Sequence, residues 1–212
     1  NQTCKEFEIL IIEDGISLPK IYNFDNIIIK KNPNKLTPAE IRYFAIKFAE
    51  ENNFDIIIFT DADDYFSNNR VELTIEVLKN ADICVNDLIP FSENICNIEE
   101  KAAFEIPSKI DLPEILNTNY FGLTNTSVKV KSFPEYFYIP SEIVAVDWWI
   151  FTLLILNKRQ FSTEKKIKTY YRQHKNNIVG YSKLLTEEKA RMGINIKKTH
   201  YENLLAYCNN SG

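Results

Sequence analysis

Ile56-Ile57-Ile58-Phe59-Thr60-Asp61-Ala62-Asp63-Asp64 is the stretch on which the fold of this chain turns. Its apolar residues are continuous rather than alternating, which predicts a strand covered on both faces, as in sheets flanked by helices. The strand runs straight into Asp61-Ala62-Asp63-Asp64. Ligands of open α/β sheets sit beyond the carboxyl ends of the strands, so these aspartates stand where a binding site is expected. Asp is also common in turns, and an isolated D-x-D-D reads equally as a turn that leads into the next helix.

The residues on either side extend the pattern. Glu8-Ile9-Leu10-Ile11-Ile12 predicts an earlier strand that stops at the turn residues Glu13-Asp14-Gly15, and Ile27-Ile28-Ile29 predicts another. Thr37-Pro38-Ala39-Glu40 opens a helix, with Thr37 as N-cap, Pro38 in the first turn and Glu40 closing a capping box. Ile41, Phe44, Ala45, Phe48 and Ala49 recur at helical spacing and form its expected buried face. A helix over residues 70–79 and a strand over 82–86 follow the acidic loop. Alternating strands and helices predict an α/β domain with a mixed, mostly parallel sheet flanked by helices. The second half is less regular: Pro90, Pro107, Pro113, Pro134 and Pro140 mark loops with short elements. A helix near 148–157, a strand over 167–171 and a helical tail over 186–207 complete the expectation.

Composition narrows the class of protein. A chain of 212 residues, 45% hydrophobic and 13% aromatic, is long enough for one packed domain and short for two. The net charge is −4 with both signs interspersed, which is not the basic footprint of a nucleic-acid binder. Cys4, Cys84, Cys96 and Cys208 are scattered without a C-x-x-C pair, a pattern that suits reduced thiols in the cytosol. The most apolar run, residues 148–156, is far short of the roughly 20 residues of a spanning helix. A soluble, cytoplasmic protein is expected.

Carboxylates crowded at one sheet edge repel each other, so a cation is their natural partner. Hard oxygen ligands suit Mg²⁺ or Mn²⁺, which bridges to substrate phosphates and makes a diphosphate a better leaving group. Asp147, ahead of Trp148-Trp149-Ile150-Phe151, reads either as a helix N-cap or as a general base for an acceptor hydroxyl. The two tryptophans read as an apolar wall or as core. Tyr170-Tyr171-Arg172-Gln173-His174-Lys175-Asn176-Asn177 is dense in polar donors, and His174 with Arg172 suits a metal or diphosphate site. His200 is expected on the surface.

Together these motifs resemble the family 2 glycosyltransferases, which have the GT-A fold. The opening Asn1-Gln2-Thr3 stretch through Glu13-Asp14-Gly15 resembles the segment that ends in that family's second strand and its acidic pair. Asp61-Ala62-Asp63 matches its D-x-D motif. Asp147-Trp148-Trp149 is similar to its acceptor-side acidic motif, and residues 171–180 resemble a C-terminal motif of bacterial members. The resemblance covers residues 1–181, taken as one GT-A-like domain, with residues 182–212 a helical extension packed on it. It implies donor contacts through Asp14, Asp61 and Arg172, metal ligation by Asp63 and His174, and catalysis by Asp147 as base. Trp148 and Trp149 fall on the acceptor side.

The implied activity is metal-dependent (Mn²⁺ or Mg²⁺), inverting transfer of a sugar from a nucleoside-diphosphate donor to a glycan or lipid-linked acceptor. The setting it implies is bacterial cell-surface polysaccharide synthesis, and it allows contact with the cytoplasmic face of the inner membrane. Family members begin with a strand and helix ahead of Asn1-Gln2-Thr3. Here the chain starts without them, so either it is a fragment or the nucleotide pocket is incomplete. The competing readings are a GT-A-like domain that binds without turnover, and a nucleotidyltransferase. The latter needs a Gly-rich phosphate loop that five glycines do not supply.

Overall fold

The computed structural model describes residues 1–15, 25–32, 35–91, 101–173 and 186–211. In chain order the elements are β1 (Ile9–Glu13), β2 (Ile27–Lys31), α1 (Pro38–Glu51), β3 (Ile56–Ile58), β4 (Tyr65–Phe66) and α2 (Arg70–Val77). Then come β5 (Ile83–Phe91), α3 (Leu112–Asn117), β6 (Thr126–Lys129), α4 (Val146–Leu156), β7 (Phe161–Arg172) and α5 (Glu187–Ser211). β1 and β2 pair in parallel as a two-stranded sheet, beside a five-stranded sheet ordered β3-β6-β5-β7-β4.

The expected mixed α/β architecture is present. The longest ladders are parallel, β1 with β2 and β5 with β7, whereas the shorter β3–β6, β5–β6 and β4–β7 pairs are antiparallel. The antiparallel pairs all involve β4 or β6, short strands not foreseen from sequence. β6 contains Thr126 and Ser127 and is almost wholly buried, so it lacks the apolar alternation that marks a strand.

Local chemistry explains the helices. At α1 the Thr37 side chain accepts from the Glu40 N–H at 3.3 Å while the Thr37 N–H donates to Glu40 Oε2 at 2.7 Å. This is the expected capping box. The buried face of α1 is rotated from the expected one: Ala39, Ile41, Ile46 and Ala49 are buried, while Phe44 is 38% exposed. Phe44 and Phe48 pack on each other instead, and the Lys30 ammonium lies over the Phe48 ring. α2 lacks a cap from its own N-cap residue, Asn69. Gln2 supplies one from far away in sequence, its Oε1 accepting from the Val71 N–H at 3.0 Å and its Nε2 donating to the Ser67 carbonyl.

α4 is the centre of the core. Nine of its eleven residues are buried, all round the helix, as expected of a helix enclosed on every side. α5 packs there through His200, Leu204 and Tyr207. His200, expected on the surface, is 1% exposed. Its ring lies flat on Trp148, with centroids 4.1 Å apart and planes 12° apart. Burial pushes its pKa down to about 4, so a neutral ring is what the core holds. Among the described residues, no helix is long and apolar enough to cross a membrane.

Candidate functional site

The acidic loop leaves β3 after Phe59, and the end of β7 closes over it. A break in register between Asn86 and Asp87, where β7 carries extra residues opposite β5, lets β7 run on to Tyr171 and Arg172. The Arg172 N–H donates to Asp64 Oδ1 at 2.9 Å and Arg172 Nε to the Asp63 carbonyl at 3.1 Å. Its guanidinium lies over the rings of Phe91 (4.7 Å) and Tyr65 (5.6 Å). Arg172, expected at the donor phosphate, thus stands beside the acidic loop, fixed by stacking as well as by hydrogen bonds.

Asp64 is the anchored member of the trio. Thr124 Oγ1 donates to its Oδ2 at 2.6 Å, at the end of a buried polar chain. Asn125 Nδ2 donates to the Asn86 carbonyl, Asn86 Nδ2 to Thr169 Oγ1, and Thr169 Oγ1 to the Thr124 carbonyl. Burial pushes the Asp64 carboxyl pKa up despite these bonds, and the charges of Asp61 and Asp63 push the same way. Behind the loop lies a cation. Arg70 is 2% exposed, donates from Nη2 to the Phe59 carbonyl at 2.8 Å and stacks on Phe66.

Asp61 is half-buried. Desolvation raises its pKa, Arg42 at 3.6 Å opposes the rise, and Asp63 adds to it. Asp63 is exposed on the loop. Asp147 sits in the first turn of α4, which begins at Val146 with Ala145 as N-cap, so Asp147 is not the cap itself. Its Oδ1 accepts from the Trp148 N–H at 2.8 Å. An Asn119 side-chain hydrogen bond also favours its charged form, and Asn119 is held in turn by the Phe121 N–H on its Oδ1. Burial outweighs these bonds and lifts the Asp147 pKa, with a further push from Asp61. That last effect means the base candidate and the acidic loop share one electrostatic neighbourhood. Tyr171 feels it most widely: burial raises its pKa, followed by the charges of Asp64, Asp61, Asp63 and Asp147.

Other expected site residues fall elsewhere. Asp14 follows β1 and accepts from Asn32 Nδ2 at 3.0 Å. Among the described residues no contact joins it to the acidic loop. His174 lies outside the described residues. Trp148 and Trp149 are both buried, at 5% and 0% exposure, and their N–H groups are satisfied by the Ile115 and Tyr138 carbonyls. Of the two readings of the pair, wall or core, their burial fits the core. Sequence reasoning passed over Thr124, Asn119 and Arg70, and took Tyr171 only as part of the polar stretch around Arg172.

Among the described residues no three His, Cys, Asp or Glu side chains converge as a ready cage. Mg²⁺-like ions need no such cage, since they take one or two carboxylates and fill the remaining positions with water and phosphate oxygens. Asp64 has both oxygens engaged, while Asp61 and Asp63, on the same loop, are carboxylates of the kind such an ion takes.

Comparison with known proteins bears on the fold and the family. S. aureus TarS 1-349 in complex with UDP-GlcNAc superposes with a TM-score of 0.62 at 16% identity, over 90% of this chain and 57% of that one. The same protein in complex with UDP gives 0.61 at 16% identity, over 81% and 53%. The chain therefore spans somewhat over half the length of these structures. No curated protein matches by sequence. The model of the family described as glycosyl transferase family 2 matches residues 1–129, which include Asp14 and the whole acidic loop and stop short of Asp147. With more than half its length matched, the chain belongs to glycosyl transferase family 2.

Proposed function

We propose that the chain transfers a sugar from a nucleoside-diphosphate donor to a hydroxyl of a glycan or lipid-linked acceptor, with inversion at the anomeric carbon. The observation that carries this reading is the acidic loop beyond β3, with Arg172 bonded onto it and Asp147 near enough for the charge of Asp61 to act on it. The solved relatives bound to UDP and UDP-GlcNAc support a nucleotide-sugar donor. Asp61 and Asp63 would hold Mn²⁺ or Mg²⁺, which when bound neutralises the donor diphosphate.

The chain's own residues do the rest. Arg172, held over Phe91 and Tyr65, presents its guanidinium to the phosphates. Asp147 takes the proton of the acceptor hydroxyl as that oxygen bonds to the anomeric carbon. The bond from that carbon to the diphosphate oxygen breaks on the opposite face, and the nucleoside diphosphate leaves with the electron pair. A base whose pKa is lifted toward neutrality is the better for this task, because it binds the proton more firmly as the transition state forms. Nucleotide sugars are supplied in the cytoplasm, so the reading puts the protein there, with surface-polysaccharide assembly as its setting.

Calorimetric titration of UDP in the presence of Mn²⁺ tests the donor site. Binding is expected in the native chain. It should weaken at least about tenfold in Asp63→Ala, because one charge-assisted contact is worth roughly 1.5–3 kcal/mol. Equal affinity in the two proteins, or no binding by either, removes the acidic loop from donor recognition.

A further inference from the structure

Tyr136 and Tyr138 are 71% and 38% exposed, whereas their neighbours Phe137 and Ile139 are buried. Tyr136 stands in the turn closed by the Phe137 N–H on the Pro134 carbonyl, and Tyr138 follows it directly in the chain. They border a cleft of about 410 Å³ between the loop that carries them, α1 and the end of α5. Its lining contains no side chain of the acidic loop and not Asp147.

We propose that this cleft is a saccharide-binding site, separate from the transfer centre, that holds a segment of oligosaccharide against Tyr136 and Tyr138. Aromatic faces carry the negative part of the ring quadrupole, and the weakly positive C–H faces of pyranose rings stack on them. Glu135 and Asn210, both exposed at the rim, supply acceptors and donors for sugar hydroxyls. The volume falls within the range of about 300–1,000 Å³ usual for small-ligand clefts.

Charge selects among ligands. The lining carries one cation, Lys47, already paired with Glu50, and one anion, Glu135. Lys47 disfavours a quaternary ammonium ion, which an all-aromatic or acidic cage would attract. Glu135 disfavours a phosphate. A neutral, hydroxyl-rich ligand is what this balance fits. One of the two rings is set in advance: Tyr138 packs on Tyr207 and Trp149, so it needs little ordering on binding.

The inference does not depend on the donor site, and the test keeps the two apart. The full chain is applied to an array of neutral and acidic bacterial surface oligosaccharides, with tetramethylammonium chloride titrated separately. The strongest oligosaccharide is then titrated by calorimetry into the native chain, Tyr136→Ala and Asp63→Ala. Tyr136→Ala is expected to weaken binding roughly tenfold at unchanged Tm, since an exposed stacking ring is lost and no core contact. Asp63→Ala should bind as the native chain does, even if its donor binding is gone. No oligosaccharide bound, binding indifferent to Tyr136→Ala, binding lost in Asp63→Ala, or uptake of tetramethylammonium at the cleft would each overturn the proposal.

Discussion

Asp147→Asn is expected to reduce sugar transfer by about 10²–10⁴-fold while leaving the fold as stable as before or more so. On the proposed mechanism, the loss follows from removing the carboxylate in the first turn of α4 that would take the acceptor proton. The stability follows from what burial does to this group. Its carboxyl pKa is raised above the ordinary 3.8, so the folded chain binds its proton more firmly than the unfolded chain. Folding is therefore favoured by this group below the unfolded pKa, and that contribution is lost as pH rises through the folded one.

Asparagine has no charge to desolvate and keeps an oxygen for the Trp148 N–H, although it must rearrange against Asn119. The measurement is Tm against pH for both proteins. The native chain should lose stability relative to Asp147→Asn as pH climbs from about 4 toward neutrality. A variant that melts well below the native chain at pH 7 would show that the carboxylate is structural.

Arg70→Ala should have the opposite signature, a large loss of stability. Arg70 is buried under the acidic loop, and burial lowers its pKa to about 10. Two of its nitrogens, Nε and Nη1, find no hydrogen-bond acceptor among the described residues. Cys84 and then Asp64 act in the reverse direction and partly hold the guanidinium protonated. Truncation leaves the Phe59 carbonyl without its donor, opens a cavity beneath Phe66 and removes a buried cation that faces Asp64. A cost of about 3–5 kcal/mol is expected. For a chain of this size that lowers Tm by on the order of 10 °C. Thermal unfolding of Arg70→Ala within a degree or two of the native chain would contradict this account of how the loop is held.

These two residues show where the sequence was legible. Asp147 could be singled out because it precedes a conspicuous apolar helix, and the acidic loop because an uninterrupted apolar strand delivers it. In both, adjacent residues carry the signal. The α1 capping box was legible for the same reason. Arg70, Thr124 and Asn119 were not, since each acts on residues distant in sequence and owes its role to tertiary approach. Asp64 shows the contrast. Its acidity was plain, but the chain from Asn125 through Asn86 and Thr169 to Thr124 that fixes it exists only once β5, β6 and β7 are assembled. His200 misled for a related reason: periodicity says which residues share a face, and not which neighbour covers it.

Turnover is the most direct measurement of the proposed transfer. The native chain, supplied with Mn²⁺ and a panel of UDP-, dTDP- and GDP-sugars, should release nucleoside diphosphate from at least one donor, by hydrolysis when no acceptor is present. Release that disappears in Asp147→Asn with donor affinity retained is the predicted result. Donor binding without release from any sugar, with or without added acceptor glycan, would contradict it and leave a domain that binds nucleotide sugars without transferring them.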